Sequence, residues 1–299
     1  MEQGRSARSL SVVITTRNRS ELLREALASV VAQDPSDLDL EIIVIDDRST
    51  DDTETVVRSF EGVRYARVSA GSCGASRAAG IELAKGTWIA FLDDDDTWLP
   101  RVPAFAELTR KRPELRMVWS PAIVCDHLLK ERGAVWPGPE LDGTEGMFEA
   151  FLRALPAPSS IFVHREVFER CGSFSPSAGR AEDWDFFLRV ARAGFPSARL
   201  AEPSVLYRSR VKPDAKLILQ TAKDSLDIVA RELEVRHSQR PTRLARARAV
   251  LRLRGWHVHA MLDGARHRDT SPQERRALRL AALRLSPLHV VAAVLRREA

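Results

Sequence analysis

The sequence predicts an α/β fold in which a mostly parallel sheet flanked by helices is followed by a helical C-terminal region. In the first third of the chain, short apolar and β-branched runs alternate with segments of helical periodicity. Strands separated by helices of this length form βαβ units, in which the strands are parallel. From about residue 216 to residue 299 only helical patterns remain. With 44% hydrophobic and 29% charged residues among 299, the composition excludes disorder as the main state.

Four strands are predicted: Leu10–Thr16, Glu41–Ile45, Val63–Val68 and Trp88–Leu92. The first, second and fourth are apolar runs typical of strands that are buried on both faces, whereas Val63–Val68 has a weaker strand pattern. The second strand ends in Asp46 and Asp47, and the fourth runs directly into Asp93–Asp96. Because ligands bind beyond the carboxyl ends of the strands in open parallel sheets, we expect these carboxylates at a ligand-binding edge.

Three helices are predicted between these strands. Ser20 is expected to cap the first helix. Ser49 and Asp52 have the spacing of a capping box that opens a helix over Asp51–Phe60. Helical periodicity over Gly74–Lys85 predicts the third helix.

The rest of the chain is less regular. The segment 100–215 contains one clear helical pattern, Asp185–Ala193. In the C-terminal region, Pro241, Pro272 and Pro287 are expected to mark helix starts or breaks.

The chain has 3 cysteines without a C-x-x-C spacing. This excludes a disulfide framework and a cysteine zinc site, and it favours a reducing compartment. The N-terminus lacks the apolar stretch of a signal peptide, and no window of about 18 apolar residues could span a membrane. We therefore expect a cytoplasmic protein.

Charge is distributed unevenly. Residues 231–299 hold 16 arginines, no lysine and 6 acidic residues, whereas the first 230 residues carry a net charge of −5. Such a basic region could contact anionic lipid, nucleic acid or acidic neighbours, or it could be an ordinary solvated surface. The apolar run His289–Leu295 is too short to span a bilayer; it could lie at a lipid interface or close onto the body of the protein or a second subunit.

The run Asp93–Asp96 has two interpretations. A block of like charges is usually a solvated surface or a helix cap. Here, however, Asp93 and Asp95 leave a buried strand two residues apart, and they would repel each other without a cation between them. Carboxylate oxygens are ligands that Mg²⁺ and Mn²⁺ prefer, often together with a substrate phosphate. The alternative to a surface role is therefore a clamp for a diphosphate and a metal.

The two other acidic pairs also have both a structural and a functional interpretation. Asp46 and Asp47 could begin a loop, or they could accept hydrogen bonds from a ribose or a base. Glu182 and Asp183 could stabilise a helix N-terminus, or one of them could act as a general base. The chain contains neither G-x-G-x-x-G nor a P-loop, which disfavours ordinary NAD and ATP modules.

Four segments together identify a protein family more specifically than any one of them does, because their order and spacing add information. They are VVITTRNR (12–19), EIIVIDDRSTDDT (41–53), GASRAAGIELAKGTWIAFLDDDDTW (74–98) and GSFSPSAGRAEDWDFFLRVARAGF (172–195). In this set the chain resembles the large family 2 of glycosyltransferases over about residues 1–215. The resemblance implies a GT-A-type fold and inverting transfer from a nucleotide-activated sugar. It also implies a catalytic domain over 1–215, with a nucleotide-binding half over about 1–98 and an acceptor half over 99–215, before an Arg-rich helical region over 216–299.

Matching the family's motifs implies roles for single residues. On the donor side, the expected contacts with the nucleotide sugar come from Thr15, Arg17, Asp47, Arg77, Asp93 and Asp94. Asp95 is expected to hold Mn²⁺ or Mg²⁺, and Asp183 matches the catalytic base.

The match has two departures. Ala78 stands where the family often has Asn, and Ser209-Arg210-Val211 stands where many relatives place a His after Tyr207-Arg208. Arg210 is therefore a candidate phosphate contact, together with Glu182 and Trp184 as candidate acceptor or phosphate contacts.

The resulting hypothesis is an inverting glycosyltransferase that uses a nucleotide diphosphate sugar, with UDP favoured by the family. The expected acceptor is a carbohydrate, a lipid-linked glycan or a natural product, and nucleic acid is not expected as a partner. A homodimer and a peripheral contact of the C-terminal region with the inner face of the membrane stay open. The alternatives are a non-catalytic nucleotide-sugar-binding or membrane-associated scaffold and a sugar-1-phosphate nucleotidylyltransferase, whose Gly-rich phosphate loop is missing from TTRNR.

Overall fold

The structure is a computed structural model of the 299-residue chain. It describes residues 8–130, 132–140, 143, 146–209, 214–235 and 242–295.

A seven-stranded sheet forms the centre of the molecule. Its spatial order is β10-β6-β9-β4-β1-β2-β3. All neighbouring strands are parallel except β9, which runs antiparallel to both β4 and β6. The strands are β1 Ser9–Thr16, β2 Asp39–Asp47, β3 Val63–Val68, β4 Trp88–Asp93, β6 Met117–Trp119, β9 Ile161–His164 and β10 Ser197–Arg199. The prediction of a mostly parallel sheet is therefore correct, and all four predicted strands are present.

A second sheet has four strands, all of which come after Asp96 in the sequence. Its order is β5-β11-β7-β8, with β11 parallel to β7 and the other pairs antiparallel. The strands are β5 Thr97–Trp98, β7 Ala122–Cys125, β8 Arg132–Trp136 and β11 Val205–Arg208. Because β5 follows Asp93–Asp96 directly, this sheet begins at the acidic turn.

Helices cover both faces of the large sheet and form the C-terminal region. They are α1 Ser20–Val31, α2 Thr53–Arg58, α3 Cys73–Leu83, α4 Val102–Lys111, α5 Met147–Phe151, α6 Arg165–Cys171, α7 Glu182–Ala193, α8 Ala215–Glu234, α9 Arg243–Arg266, α10 Pro272–Leu285 and α11 Pro287–Leu295. One buried cluster includes Val13, Ile45 and Phe187, and a second includes Val12, Val44 and Phe162. Val12 and Val13 belong to different clusters because successive side chains of a strand point to opposite faces.

Two predicted helix caps are wrong. Ser20 is the first residue of α1 instead of its cap, and its N–H donates to Asp51 Oδ2 at 3.0 Å. The capping box of Ser49 and Asp52 does not form, and α2 begins only at Thr53. Ser49 is used elsewhere, because its N–H donates to Asp46 Oδ1 and its hydroxyl accepts from Asn18 N, each at 2.8 Å. Contacts between the loops that follow β1 and β2 thus override the local capping signals.

The C-terminal region is helical wherever it is described, as predicted. Pro272 and Pro287 begin α10 and α11, whereas Pro241 lies outside the described residues. In the apolar run of α11, Val290 and Ala293 pack into a cluster with α9 and α10, so these side chains close onto the protein. None of the helices in the described ranges is both long enough and apolar enough to cross a bilayer.

Helix α8 is joined to α7 by ion pairs. Asp185 on α7 is buried and pairs with Arg231 of α8 and with Arg189 of its own helix. Glu232 of α8 is also buried and accepts from Arg192 Nη1 at 2.9 Å. The C-terminal region therefore fixes the helix whose first turn carries Glu182 and Asp183.

Candidate active site

A cleft of about 480 Å³ lies at the carboxyl ends of β1, β2 and β4. Nine of the eleven predicted site residues line it: Thr15, Arg17, Asp47, Arg77, Asp93, Asp94, Asp95, Glu182 and Asp183. They come from the last residues of three parallel strands and the loops that follow, from α3 and from the start of α7. The strand-end argument therefore places the donor-side residues at one edge of the sheet, as expected.

The other two predicted residues do not join this group. The ring of Trp184 is partly buried and packs against the core instead of lining the cleft. Arg210 lies outside the described residues.

Asp47 is buried at the cleft and already accepts two backbone hydrogen bonds. Ala70 N donates to Oδ1 and Gly71 N to Oδ2, each at 3.0 Å. The Arg17 guanidinium lies 3.6 Å from Oδ2. An ionised carboxylate has about four acceptor positions, so Asp47 can shape the loop before α3 and still accept a ligand donor.

Arg77 is the central cation of the cleft. It is 3% exposed, and its two terminal nitrogens reach Asp93 Oδ1 at 2.6 Å and Glu182 Oε1 at 3.1 Å. Burial by itself lowers the pKa of Arg77, but Asp93 and Glu182 together raise it well above its usual value. Arg77 thus joins the acidic turn after β4 to the residue next to Asp183.

Asp94 is a buried residue of the acidic turn that lines the cleft. It accepts from Thr16 Oγ1 at 2.7 Å and pairs with Arg19 Nη1 at 2.9 Å. Burial raises its pKa to about 6, although the nearby Arg19 opposes this shift. Arg19 also pairs with Asp95 Oδ2 at 2.8 Å, which makes it a cleft residue that the sequence reasoning missed.

The acidic turn offers a donor set that suits a hard divalent cation. Carboxylate oxygens of Asp93, Asp95 and Asp96 lie within 4.8 Å of one another. Asp96 is 1% exposed and is held by Ser159 Oγ at 2.6 Å and Arg208 N at 2.9 Å. Asp93 and Asp95 are more exposed, so they are the two that an ion bridging to a phosphate would reach.

Ser159 supports this turn, and sequence reasoning did not find it. Its hydroxyl donates to Asp96 and accepts from Asp93 N at 3.1 Å. The buried Arg101 holds the backbone of the same segment, donating to the carbonyls of Ser159 and Ser160 at 2.9 and 2.6 Å. In the sequence, Pro156-Ala157-Pro158 indicates a loop, but nothing in the pattern links that loop to the acidic turn.

Asp183 lies at the start of α7, where its Oδ1 accepts the N–H of Trp184 at 2.7 Å. Desolvation raises its pKa to about 7, and repulsion by Glu182 adds to the rise. A carboxylate with a pKa near neutral pH can accept a proton from an attacking hydroxyl and later release it to water. Its chemistry therefore fits a general base.

The cleft is also lined by Trp136, Tyr207 and Arg180, none of which was predicted as a site residue. Trp136 and Tyr207 meet edge to face with ring centroids 5.3 Å apart. Both come from the second sheet, whose strands are short and irregular in sequence. Arg180 lies three residues before Asp183, and this closeness was the one available signal.

Comparisons with known proteins show what this chain is similar to in sequence. The model of the family described as glycosyl transferase family 2 matches residues 11–153. An uncharacterized glycosyltransferase of Haemophilus influenzae is 26% identical over 201 residues, which are 65% of this chain and 66% of that protein. The chain aligns with between 32% and 66% of the length of the first four curated relatives.

Two solved structures show the same fold. One is S. aureus TarS 1–349 in complex with UDP-GlcNAc, at a TM-score of 0.64 and 16% identity over 92% of this chain and 79% of that one. The other is the mannosyltransferase PcManGT of Pyrobaculum calidifontis with GDP-Man and Mn²⁺, at a TM-score of 0.59 and 19% identity over 96% and 84% of the two chains. The predicted GT-A-type fold class is therefore confirmed, and residues 11–153 are similar to glycosyl transferase family 2.

Proposed function

We propose that this chain is an inverting glycosyltransferase that moves a sugar from a nucleotide diphosphate donor to an acceptor hydroxyl. The observation that carries the proposal is the meeting of carboxylates from three distant segments in one cleft: Asp47 at the end of β2, Asp93 and Asp95 at and just after the end of β4, and Asp183 on α7. A cleft with this many carboxylates needs positive charge to bind a diphosphate, and a divalent cation with the cleft arginines supplies it.

The donor occupies the strand ends. Thr15, Arg17 and Asp47 surround the nucleotide, and Asp93 and Asp94 lie on the sugar side. Asp95, with Asp93, would hold Mn²⁺ or Mg²⁺, which supplies stabilisation of the negative charge that develops on the departing diphosphate. Arg77 pairs with Asp93 and holds its carboxylate in place for this contact.

The acceptor hydroxyl approaches from the opposite side of the sugar, beside Asp183. As the hydroxyl oxygen bonds to the anomeric carbon, its proton passes to the Asp183 carboxylate, while the bond from that carbon to the diphosphate breaks. One displacement of this kind inverts the anomeric configuration. Glu182, held by Arg77, keeps a negative charge beside Asp183 and so increases its basicity.

The proposed donor is a UDP-sugar. TarS, solved with UDP-GlcNAc, supports this choice, whereas PcManGT, solved with GDP-Man and Mn²⁺, supports the use of a metal. The proposed acceptor is a carbohydrate or a lipid-linked glycan, and the proposed location is the cytoplasm or the inner face of the membrane. We retain residues 1–215 as the catalytic unit and 216–299 as a helical addition that fixes α7.

The test is release of nucleoside diphosphate from a panel of UDP-, GDP- and dTDP-sugars, measured with Mn²⁺, with Mg²⁺ and with EDTA. Metal-dependent release from one donor supports the enzyme. Binding of a donor without release of diphosphate, even with candidate acceptors present, would instead favour a nucleotide-sugar-binding protein.

A further inference from the structure

The four arginines that line the cleft differ in their partners. Arg17, Arg19 and Arg77 each pair with a carboxylate of the donor side. The exposed side chain of Arg180 makes no ion pair within the described ranges, although it lines the same cleft. Arg180 lies three residues before the proposed base Asp183, so its guanidinium can bind an anion that belongs to the acceptor.

The backbone at Arg180 is held in place by α8. Arg180 N donates to Asp224 Oδ2 at 2.9 Å, and Gln220 Nε2 donates to the other oxygen of Asp224 at 2.7 Å. The preceding Gly179 has φ +61° and ψ −120°, a conformation that requires glycine. Arg180 is therefore presented by a fixed turn, which lowers the entropy cost of binding a ligand.

Gln220 also lines a second cavity, a groove of about 480 Å³ between α8 and α10. Its α8 wall carries Lys216, Leu219, Gln220 and Lys223, which recur at helical spacing and so share one face. Two hydrogen bonds through Asp224 thus connect the backbone of Arg180 to Gln220 in this groove.

The groove has a charge that suits a phosphate. Lys216 and Lys223 are exposed and make no ion pair within the described parts of the chain. The one carboxylate among the lining residues, Glu274, already accepts from the N–H and the hydroxyl of Ser271 in the capping box of α10. With a rise of about 1.5 Å per residue, the two lysines lie about 10 Å apart along α8.

We propose that Arg180, Lys223 and Lys216 form a track that binds the phosphate groups of a phosphate-bearing acceptor. The acceptor hydroxyl lies at Asp183, its nearest phosphate contacts Arg180, and the rest of the acceptor follows α8 into the groove, where Leu219 and Ala277 contact its carbon atoms. The role of the acceptor hydroxyl rests on the proposed function. The phosphate contacts do not, because they depend only on Arg180, Lys223 and Lys216.

The experiment measures phosphate binding directly on the full-length chain in EDTA. Without a metal ion, the aspartates of the donor site repel phosphate, so this site does not compete. Two probes distinguish the two sources of an acceptor phosphate: a glycerol-phosphate oligomer in solution, and vesicles of phosphatidylcholine containing phosphatidic acid. The double variant Lys216→Gln/Lys223→Gln is compared with Lys85→Gln/Arg110→Gln, an equal loss of exposed charge at the amino edge of the sheet. Arg180→Gln is compared with Arg24→Gln.

Each track variant is expected to raise the Kd for at least one probe by about fivefold to tenfold, while its matched control stays near wild type. The probe that responds identifies a soluble polymer or a lipid as the source of the phosphate. Equal Kd values for the track and control variants with both probes would overturn the proposal. Donor hydrolysis by the wild type is measured separately, so a failure of the track and a failure of the transferase proposal give different results.

Discussion

The two walls of the cleft are built in different ways. The wall proposed to bind the donor, called here the donor wall, consists of the ends of β1, β2 and β4, which are neighbours in one parallel sheet. The wall proposed to bind the acceptor, called here the acceptor wall, combines Trp136 and Tyr207 of the second sheet with the turn at Arg180 and the first turn of α7. Because α8 holds that turn and that helix, the acceptor wall depends on residues that come late in the chain.

The walls also differ in how far their polar groups are satisfied. On the donor wall, Asp47, Asp93 and Asp94 all have cationic or hydrogen-bonding partners within the protein. On the acceptor wall, the Arg180 side chain is exposed and makes no ion pair with any residue in the described ranges. The donor wall is therefore organised before a ligand binds, whereas the acceptor wall leaves a positive charge for its ligand to pair with.

The largest expected effect comes from removing the base on the acceptor wall. Asp183→Asn cannot accept the proton of the attacking hydroxyl, so kcat should fall by about 10²–10⁴-fold. Donor affinity, measured by calorimetry, should stay within about threefold, because the amide keeps the size of the side chain. A loss of donor binding with unchanged kcat would indicate that Asp183 binds the donor, and it would contradict the proposed role as a base.

Removing the proposed metal ligand should weaken donor binding, which Asp183→Asn should leave nearly unchanged. Asp95→Ala is expected to weaken donor binding by about tenfold or more when Mn²⁺ is present. In EDTA the variant and the wild type should bind the donor equally weakly. A metal dependence identical to that of wild type would exclude Asp95 as a ligand.

The pH profile tests the base without a substitution. Asp183 acts only when ionised, and its pKa is raised to about 7, so kcat should rise as pH increases through about 7 and then level off. Glu182→Gln removes the negative neighbour and should move this limb to lower pH. A profile that is flat from pH 5 to 8 would show that another group takes the proton.

The turn that presents Arg180 is tested by two glycine substitutions. In Gly179→Ala, the new Cβ would overlap the Asp224 carboxylate, and the φ of +61° would be strained. In the control Gly62→Ala, φ is +77° but no atom lies within 4 Å of the new Cβ. Both should lose about 1 kcal/mol of stability or more in urea unfolding. Gly179→Ala should in addition raise the acceptor KM, and an equal KM in the two variants would separate this turn from acceptor binding.

The smallest expected effect concerns the link between α7 and α8. Arg231 is half exposed, and Asp185 keeps Arg189 as a partner, so Arg231→Gln should lower the free energy of unfolding by about 1 kcal/mol. The exposed pair of Arg58 and Glu54 is a control, and Arg58→Gln should cost about half as much or less. Equal losses would mean that the α7–α8 contact adds nothing beyond a surface ion pair.

Sequence reasoning predicted the donor wall better than the acceptor wall, for a physical reason. Buried parallel strands are apolar runs that end abruptly, so Asp47 and Asp95, which follow two of the predicted strands, were placed at this edge from the pattern alone. The resemblance then assigned their roles. The same pattern misplaced Ser20 and Ser49 as caps, because loop contacts with Asp51 and Asn18 decide their positions.

The acceptor wall could not be predicted in the same way. Trp136 and Tyr207 lie on short strands of a sheet whose pairing spans distant parts of the sequence. Ser159 and Arg101 support the acidic turn from 63 and 5 residues away from Asp96, through contacts that have no local signature. Trp184 was expected to face the acceptor, but its ring packs into the core because the first turn of α7 directs it there.

The position of Asp224 and Arg231 downstream of α7 has a consequence during synthesis. As the polypeptide leaves the ribosome, the sheet that forms the donor wall can assemble first, since domains fold from the N-terminus as they emerge. The turn at Gly179 and the helix that carries Asp183 obtain their supports only after α8 has emerged. A nascent chain released before that point should capture a nucleotide sugar yet fail to pass the sugar on.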